Sequence, residues 1–265
     1  MARVRLDDEL VAQGICENRA DALRTLMAGL VSSNGERLTS PGMKVAPGLS
    51  LHVKGRLPYV GRGGVKLAGA LDSLGVDPRG LSCLDVGCST GGFTDCLLKR
   101  GAATVVAVDV GRAQFDWSLR NDARVTLLER TNIVDVPAQG YEAAFDLAVC
   151  DVSFTSVRTV LPAVLAALKP CARFLTLVKP QFEAPAEDVG EGGVVRDPAV
   201  HRRVLADVIR LFAASGLAPH GVCASPITGA KGNREFFLLG VRGILEDEHM
   251  SEPAVAALIE RAGEL

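Results

Sequence analysis

The 265-residue chain predicts a doubly wound α/β body, a mostly parallel seven-stranded sheet covered on both faces, behind a small N-terminal α+β unit. Three observations carry that expectation. Apolar runs recur at 81–86, 103–108, 125–128, 145–150, 173–178, 218–224 and 235–241, with helical stretches between most of them, notably 92–100, 156–168 and 199–215. Runs that are apolar throughout, rather than alternating, belong to strands buried on both faces. The last two runs are joined only by SPITGAKGN, too short for a crossover helix, so those strands must run antiparallel to each other.

Residues 1–53 form the first unit. RLDDELVAQGI reads as a helix and NRADALRTLMAGL as a second, with Ala22, Leu23, Leu26 and Met27 on one face and Gly29 closing it. Asn34-Gly35 between short extended runs marks a hairpin, and PGMKVAPGLSLHV ends the unit in another strand. Residues 54–62, KGRLPYVGR, read as a linker without periodicity. In GRGGVKLAGAL, Leu67, Leu71 and Leu74 recur at helical spacing with Lys66 just ahead of the stripe. Gly63 and Gly64 read as the hinge into the body, which spans 63–242. Residues 243–265 form an acidic tail with a short helix after Ser251 and no evident function.

Charge is distributed unevenly under a net of −2. Residues 1–66 carry ten Lys/Arg against six Asp/Glu, whereas 243–265 carry one against six. A basic front on a neutral body suits a modular protein that meets an anion with its N-terminus. The seven cysteines (Cys16, Cys83, Cys88, Cys96, Cys150, Cys171, Cys223) show no CxxC pattern, and several sit in apolar runs as small hydrophobes. With no signal-peptide pattern, the expectation is a reducing cytoplasm rather than a disulfide framework. The four histidines are isolated, so no metal site is expected, and no apolar run approaches the ~20 residues that span a bilayer.

Chemistry concentrates at predicted strand ends. LDVGCSTGGFTD (84–95) is a strand, a glycine turn and a helix start, with Gly87, Gly91 and Gly92 permitting close approach of a ligand to the backbone. Its G-x-x-x-G-G spacing departs from the dinucleotide fingerprint. Asp85 at the strand end suits a ligand with a positive centre and an amino group, and Asp109, ending VAVDV, is placed to accept both ribose hydroxyls of a nucleoside. Together they favour S-adenosylmethionine over a nicotinamide cofactor. Ser89 and Phe93 in the turn and helix start, with Asn132 and Asp135 after the third strand, complete the candidate cofactor set; Asp135 is the candidate for the adenine. Asp151 in CDVSF and Lys179 in LVKPQFE lie at the carboxyl edge of the sheet, where open α/β folds bind ligands. Glu235 opens the last strand, and if that strand is antiparallel its start reaches the same rim. Pro170-Cys171 precedes the fifth strand at the opposite edge and reads as structural.

Two resemblances follow from these residues. The pattern R-L-D…L…R…A…G-x-V…N-G…P-G…V…G resembles the small RNA-binding domain first seen in the fourth protein of the small ribosomal subunit. GRGGVKL, DVGCSTGGFTD, CDVSF, LVKPQFE and NREFF resemble the TlyA (haemolysin-A-like) branch of the FtsJ-related RNA ribose 2′-O-methyltransferases. That family implies a Rossmann-like methyltransferase fold and a Lys–Asp–Lys–Glu tetrad, here Lys66, Asp151, Lys179 and Glu235. It further implies methylation of a cytidine ribose in the RNA of one or both ribosomal subunits. The chain departs from the family pattern at Gly61, where serine is usual, and at Glu191, where a basic residue is usual. Arg3, Arg5, Arg19 and Arg24 are candidate phosphate contacts, and Arg62, Arg196 and Lys231 extend the track. Within the tetrad, Lys179 is expected to act on the ribose oxygen as base or electrostatic stabiliser, with Lys66 as the neighbouring cation. The haemolysin name raises a membrane-lytic alternative, and a non-catalytic RNA-binding module is another.

Overall fold

The computed structural model describes residues 3–13, 15–16, 18–55, 58–112, 114–243 and 252–265. Gly14 of the first helix reading, Arg56 and Leu57 of the linker reading, and residues 244–251 of the tail, Ser251 included, lie outside the described residues. The chain divides into two compact units, Met1–Pro58 and Tyr59–Leu265.

The front unit contains β1 (Val4–Arg5), α1 (Leu6–Ala12), α2 (Arg19–Met27), β2 (Val31–Ser33), β3 (Glu36–Arg37), β4 (Lys44–Val45) and β5 (His52–Val53). The Asn18 side chain caps α2 by accepting from the Asp21 N–H, satisfying a donor that the helix itself cannot. Asn34-Gly35 turns the chain between β2 and β3, and β5 pairs with the other edge of β2. β1 pairs separately with β4, so PGMKVAPGLSLHV supplies two short strands rather than one. Leu6, Leu10, Ala22, Leu26, Val31, Val45 and Val53 form this unit's own core. Met27, expected on the buried face of α2, is exposed; Thr25 is buried on that helix instead.

The body begins earlier than the glycines suggested. Tyr59 and Val60 already pack against its core. α3 runs Arg62–Leu74, so Gly63 and Gly64 are helical residues and not a hinge. Leu67, Ala70 and Leu71 bury the helical stripe, and Gly75 ends the helix in the left-handed conformation. The remaining elements are β6 (Ser82–Val86), α4 (Gly92–Lys99), β7 (Thr104–Asp109), α5 (Trp117–Arg120), β8 (Val125–Glu129), β9 (Phe145–Cys150), α6 (Val157–Ala167), β10 (Leu168–Val178), α7 (Pro180–Glu183), α8 (Pro198–Ala214), β11 (Leu217–Ala224), β12 (Phe236–Arg242) and α9 (Glu252–Gly263).

The seven body strands form one sheet in the order β11-β12-β10-β9-β6-β7-β8. β12 runs opposite to the other six strands, inserted between β10 and β11. Side-chain alternation then divides the core in two. Leu84, Val86, Phe174, Phe236 and Leu238 face α6 and α8, while Cys83, Leu175, Leu177, Phe237 and Leu239 face α3 and α4. Each strand therefore reads as continuously apolar because each face has its own helical cover. The C-terminal segment is part of this cover. Leu258 and Ala262 of α9 are buried in the core beside α8, so the tail reading gives way to a docked helix.

Candidate active site

The antiparallel course of β12 decides what meets at the rim. Its first residue, Phe236, pairs with Val178, the last of β10. Glu235 and Lys179 therefore emerge side by side although 56 positions separate them. β9 ends next to β10, delivering Asp151, and α3 carries Lys66 across the front. All four residues line one cavity of about 330 Å³.

They meet as two ion pairs. Lys66 Nζ lies 2.5 Å from Glu235 Oε2, with side-chain exposures of 11% and 3%. Lys179 Nζ lies 2.6 Å from Asp151 Oδ1 and donates a directional hydrogen bond to Ser153 Oγ at 2.8 Å. The Lys66 charge is thus committed to Glu235 rather than offered to Lys179, a correction to the expected division of labour. Gly229 makes the first pair possible, since a Cβ there would land inside the Glu235 carboxylate. The segment after Lys179 is fastened from below. Glu183 on α7 accepts from Ser156 Oγ at 2.6 Å and from the Val157 N–H at 2.7 Å, at the N-terminus of α6.

A second hollow of about 430 Å³ shares Gly87, Ser89, Asp151 and Ser153 with the first and extends past Asp109 to Asn132 and Ile133. Gly87 sits at φ +82°, and a Cβ there would meet the Asp151 carbonyl at 2.8 Å, so only glycine lets the β6 turn lie against the end of β9. Asp109 accepts from the Ser89 N–H at 2.8 Å through Oδ2 and from the Gly111 N–H at 2.7 Å through Oδ1. Each oxygen keeps lone-pair capacity toward the hollow, the arrangement a vicinal diol requires. Gly92 and Phe93 line the first cavity on the other side of the turn.

Three cofactor candidates fall elsewhere. Asp85 is fully buried beneath the turn, where it accepts from Thr94 Oγ1 at 2.6 Å, and its Oδ1 has no partner among the described residues. Burial pushes its carboxyl up to about 7, assisted by the Asp151 and Asp109 charges and opposed by the Thr94 hydrogen bond. Gly91, at φ +93°, serves packing, because a Cβ there would strike Leu119 and Phe115. Asp135 is exposed in a single 3₁₀ turn and lines neither hollow.

The basic candidates are spread over both units. Arg3 is exposed, Arg5 and Arg19 both pair with Asp7, and Arg24 pairs with Asp21 at 3.6 Å. In the body, Arg62 donates to the Thr228 carbonyl at 2.7 Å and Lys231 to the Gly192 carbonyl at 2.8 Å, while Arg196 is exposed. The loop bearing Glu191 and Arg196 is latched by buried Asn233. Its Oδ1 accepts from the Val195 N–H at 3.1 Å and its Nδ2 donates to the Gly193 carbonyl at 3.0 Å.

Residues beyond the sequence-based set also line the first cavity, among them Ser153, Phe154, Gln181 and Phe182. Phe154 is 91% exposed at φ +62°, with its ring centroid 5.2 Å from that of Phe182. Its signal in the sequence is an aromatic residue three positions after the strand-end acid, in CDVSF.

A nucleoside-sized hollow opening on paired lysines and carboxylates at the carboxyl edge of a Rossmann-like sheet defines an S-adenosylmethionine-dependent methyltransferase. The free acceptor capacity of Asp109 and the glycine-lined turn fit that cofactor. The FtsJ-like methyltransferase family model matches residues 59–242 and the S4 domain model residues 4–51. The chain belongs to the FtsJ-like methyltransferase family. It is 44% identical over 238 residues to the 16S/23S rRNA (cytidine-2′-O)-methyltransferase TlyA of Mycobacterium tuberculosis, covering 89% of each chain. It is 38% identical over 234 residues to Hemolysin A of Brachyspira hyodysenteriae, covering 88% of this chain and 98% of the relative. The solved structure of a hemolysin-named protein from Streptococcus thermophilus superposes with a TM-score of 0.72 at 38% identity, covering 100% of this chain and 97% of that one.

Proposed function

We propose that the chain transfers the methyl group of S-adenosylmethionine to a cytidine 2′-hydroxyl of ribosomal RNA, acting on ribosomal subunits in the cytoplasm. The observation that carries this reading is the pair of buried lysine–carboxylate contacts around one cavity, beside the hollow that Asp109 floors. The cofactor supplies an electrophilic methyl on a sulfonium, and the protein must supply an oxygen able to attack it. A ribose hydroxyl holds its proton at neutral pH, so it needs a proton acceptor and a nearby positive donor. Lys179, held by Ser153 and Asp151, is the ammonium donor that stabilises the developing alkoxide, and the hydroxyl proton passes to the Asp151 carboxylate. Lys66 and Glu235 hold the opposite wall, so that oxygen and methyl meet in line; positioning supplies most of the rate.

An RNA substrate is supported by two further features. Phe154 offers an exposed ring at the cavity mouth, and stacking of a base on an aromatic side chain contributes about 1–3 kcal/mol. Arg3, Arg5, Arg19 and Arg24 of the front unit, with Arg62, Arg196 and Lys231 of the body, supply phosphate contacts. Tritium transfer from labelled cofactor to purified subunits, followed by mapping of the modified nucleotide, tests the reading. Transfer to a cytidine ribose supports it. Cofactor binding without transfer to any ribosomal RNA would leave an RNA-binding module instead, and leakage of loaded liposomes would point to the lytic activity that the hemolysin name denotes. No helix among the described residues is long and apolar enough to cross a membrane.

A further inference from the structure

Asp7 is completely buried in the front unit, remote in sequence from every residue of the reaction site. It lies in the first turn of α1, and its carboxylate gathers side chains from two other places. Arg5, on β1, grips it with two prongs, Nε to Oδ1 at 2.9 Å and Nη2 to Oδ2 at 2.8 Å. Arg19, the first residue of α2, donates Nε to Oδ2 at 3.1 Å. The Asp8 N–H also reaches Oδ1 at 3.1 Å. The two arginine side chains nevertheless remain 37% and 58% exposed. The acid is hidden, and its two cations face water.

This arrangement has a consequence for ligand capture. A free arginine side chain carries rotamer entropy that a phosphate contact must overcome. Anchoring one edge of each guanidinium on a buried acid lowers that cost before the ligand arrives while both side chains stay partly exposed, with Arg5 Nε also 3.9 Å from Asp8 Oδ2. The Arg5 and Arg19 contacts hold the Asp7 carboxyl down at about 2, so the anchor is charged throughout the physiological range.

We propose that Asp7 is a positioning residue for RNA, fixing Arg5 and Arg19 as one preformed pair of phosphate contacts. The proposal rests on the reading of the chain as an RNA methyltransferase. Coulomb's law distinguishes it from a simple charge account. Deleting a negative charge beside two arginines should strengthen their pull on phosphate, whereas deleting their anchor should weaken it.

The test uses the full chain, purified ribosomal subunits as substrate, and binding measured across a salt series. Wild-type transfer is the control, since its failure would count against the enzyme reading and not against Asp7. With Asp7→Asn, KM for subunits should rise about tenfold, as for loss of a charge-assisted contact, while kcat and cofactor affinity hold. The slope of log affinity against log salt should fall by about 1 or more, reporting lost phosphate contacts. Unchanged or tighter binding would overturn the proposal. If Asp7→Asn fails to fold, Arg5→Lys and Arg19→Lys decide, because these half-exposed changes keep the charge but lose the planar fork. Binding as weak as in Arg5→Ala and Arg19→Ala supports positioning, and wild-type binding by the lysine variants refutes it.

Discussion

Asp7 in the front unit and Asp85 in the body both have no accessible surface, but Asp7 lies under partly exposed arginines while Asp85 lies deep beneath the glycine turn, and their protons are held very differently. Asp7 touches two guanidinium groups and is driven down to about 2. Asp85 has a hydroxyl, an unpartnered oxygen and two carboxylates for neighbours, and is driven up to about 7. Burial by itself opposes charge; a counter-ion in contact reverses the outcome. At the candidate catalytic rim Glu235 and Asp151 each touch a lysine, and there the cations are withdrawn from water rather than presented to it. Exposed cations on a hidden acid suit capture of a polyanion, and buried cations paired with carboxylates at a cavity suit action on one oxygen.

The strongest way to break this contrast is to remove a hidden cation. Lys179→Ala should lower kcat by about 10²-fold or more, the usual scale of a lost donor to a developing oxyanion. Cofactor binding by calorimetry should survive, because the Asp109 hollow is untouched. Glu235→Ala strands a buried ammonium on Lys66 and should cost about 3–5 kcal/mol in denaturant unfolding as well as activity. Lys66→Ala should likewise stop transfer while leaving cofactor affinity in place. Gly229→Ala displaces the same carboxylate without removing it. A misplacement of about 1 Å at such a site costs on the order of 10²-fold, so kcat should fall while KM for RNA holds.

The aspartates themselves sharpen the comparison through pH. Asp85 has a folded value raised above the ordinary 3.8, so its contribution to stability is full below that value and is lost as pH rises through about 7. Asp85→Asn removes that loss. Its melting temperature relative to wild type should climb between pH 4 and pH 7 and then level, at about 2–4 °C per kcal/mol for a chain of this size. Asp7 has a depressed value, so its contribution is present above 3.8 and lost as pH falls toward 2. Asp7→Asn should accordingly narrow its deficit against wild type on acidification, the opposite trend and the smaller one in the accessible range.

Strand positions in the body were legible because both faces of the sheet are covered, which leaves unbroken apolar runs such as FDLAVC and EFFLLGV. The convergence of Asp151, Lys179 and Glu235 was legible from connection length alone, since a nine-residue link cannot hold a crossover. Pairing was not. That Lys66 turns to Glu235, and Asp7 to Arg5 and Arg19, depends on side-chain directions that no periodicity encodes. Asp85 read as a ligand contact because strand-end acids often are; its burial under Thr94 depends on how α4 closes over the turn. Met27 read as core because helical spacing gives a stripe but not its width. The docking of α9 was not legible because its apolar residues give a helical stripe without saying which surface covers it.

The insertion of β12 between β10 and β11 also bears on when the enzyme becomes competent during synthesis. The four strands β9, β6, β7 and β8 and their neighbour β10 can assemble from the first 178 residues, which already contain the cofactor hollow. β11 has no place on the sheet until β12 has entered beside β10, and Glu235 reaches the rim only with that strand. A nascent or truncated chain would therefore hold a nearly complete nucleoside pocket with an unpaired Lys66. The hairpin of β11 and β12 must therefore close on β10 before Glu235 can meet Lys66.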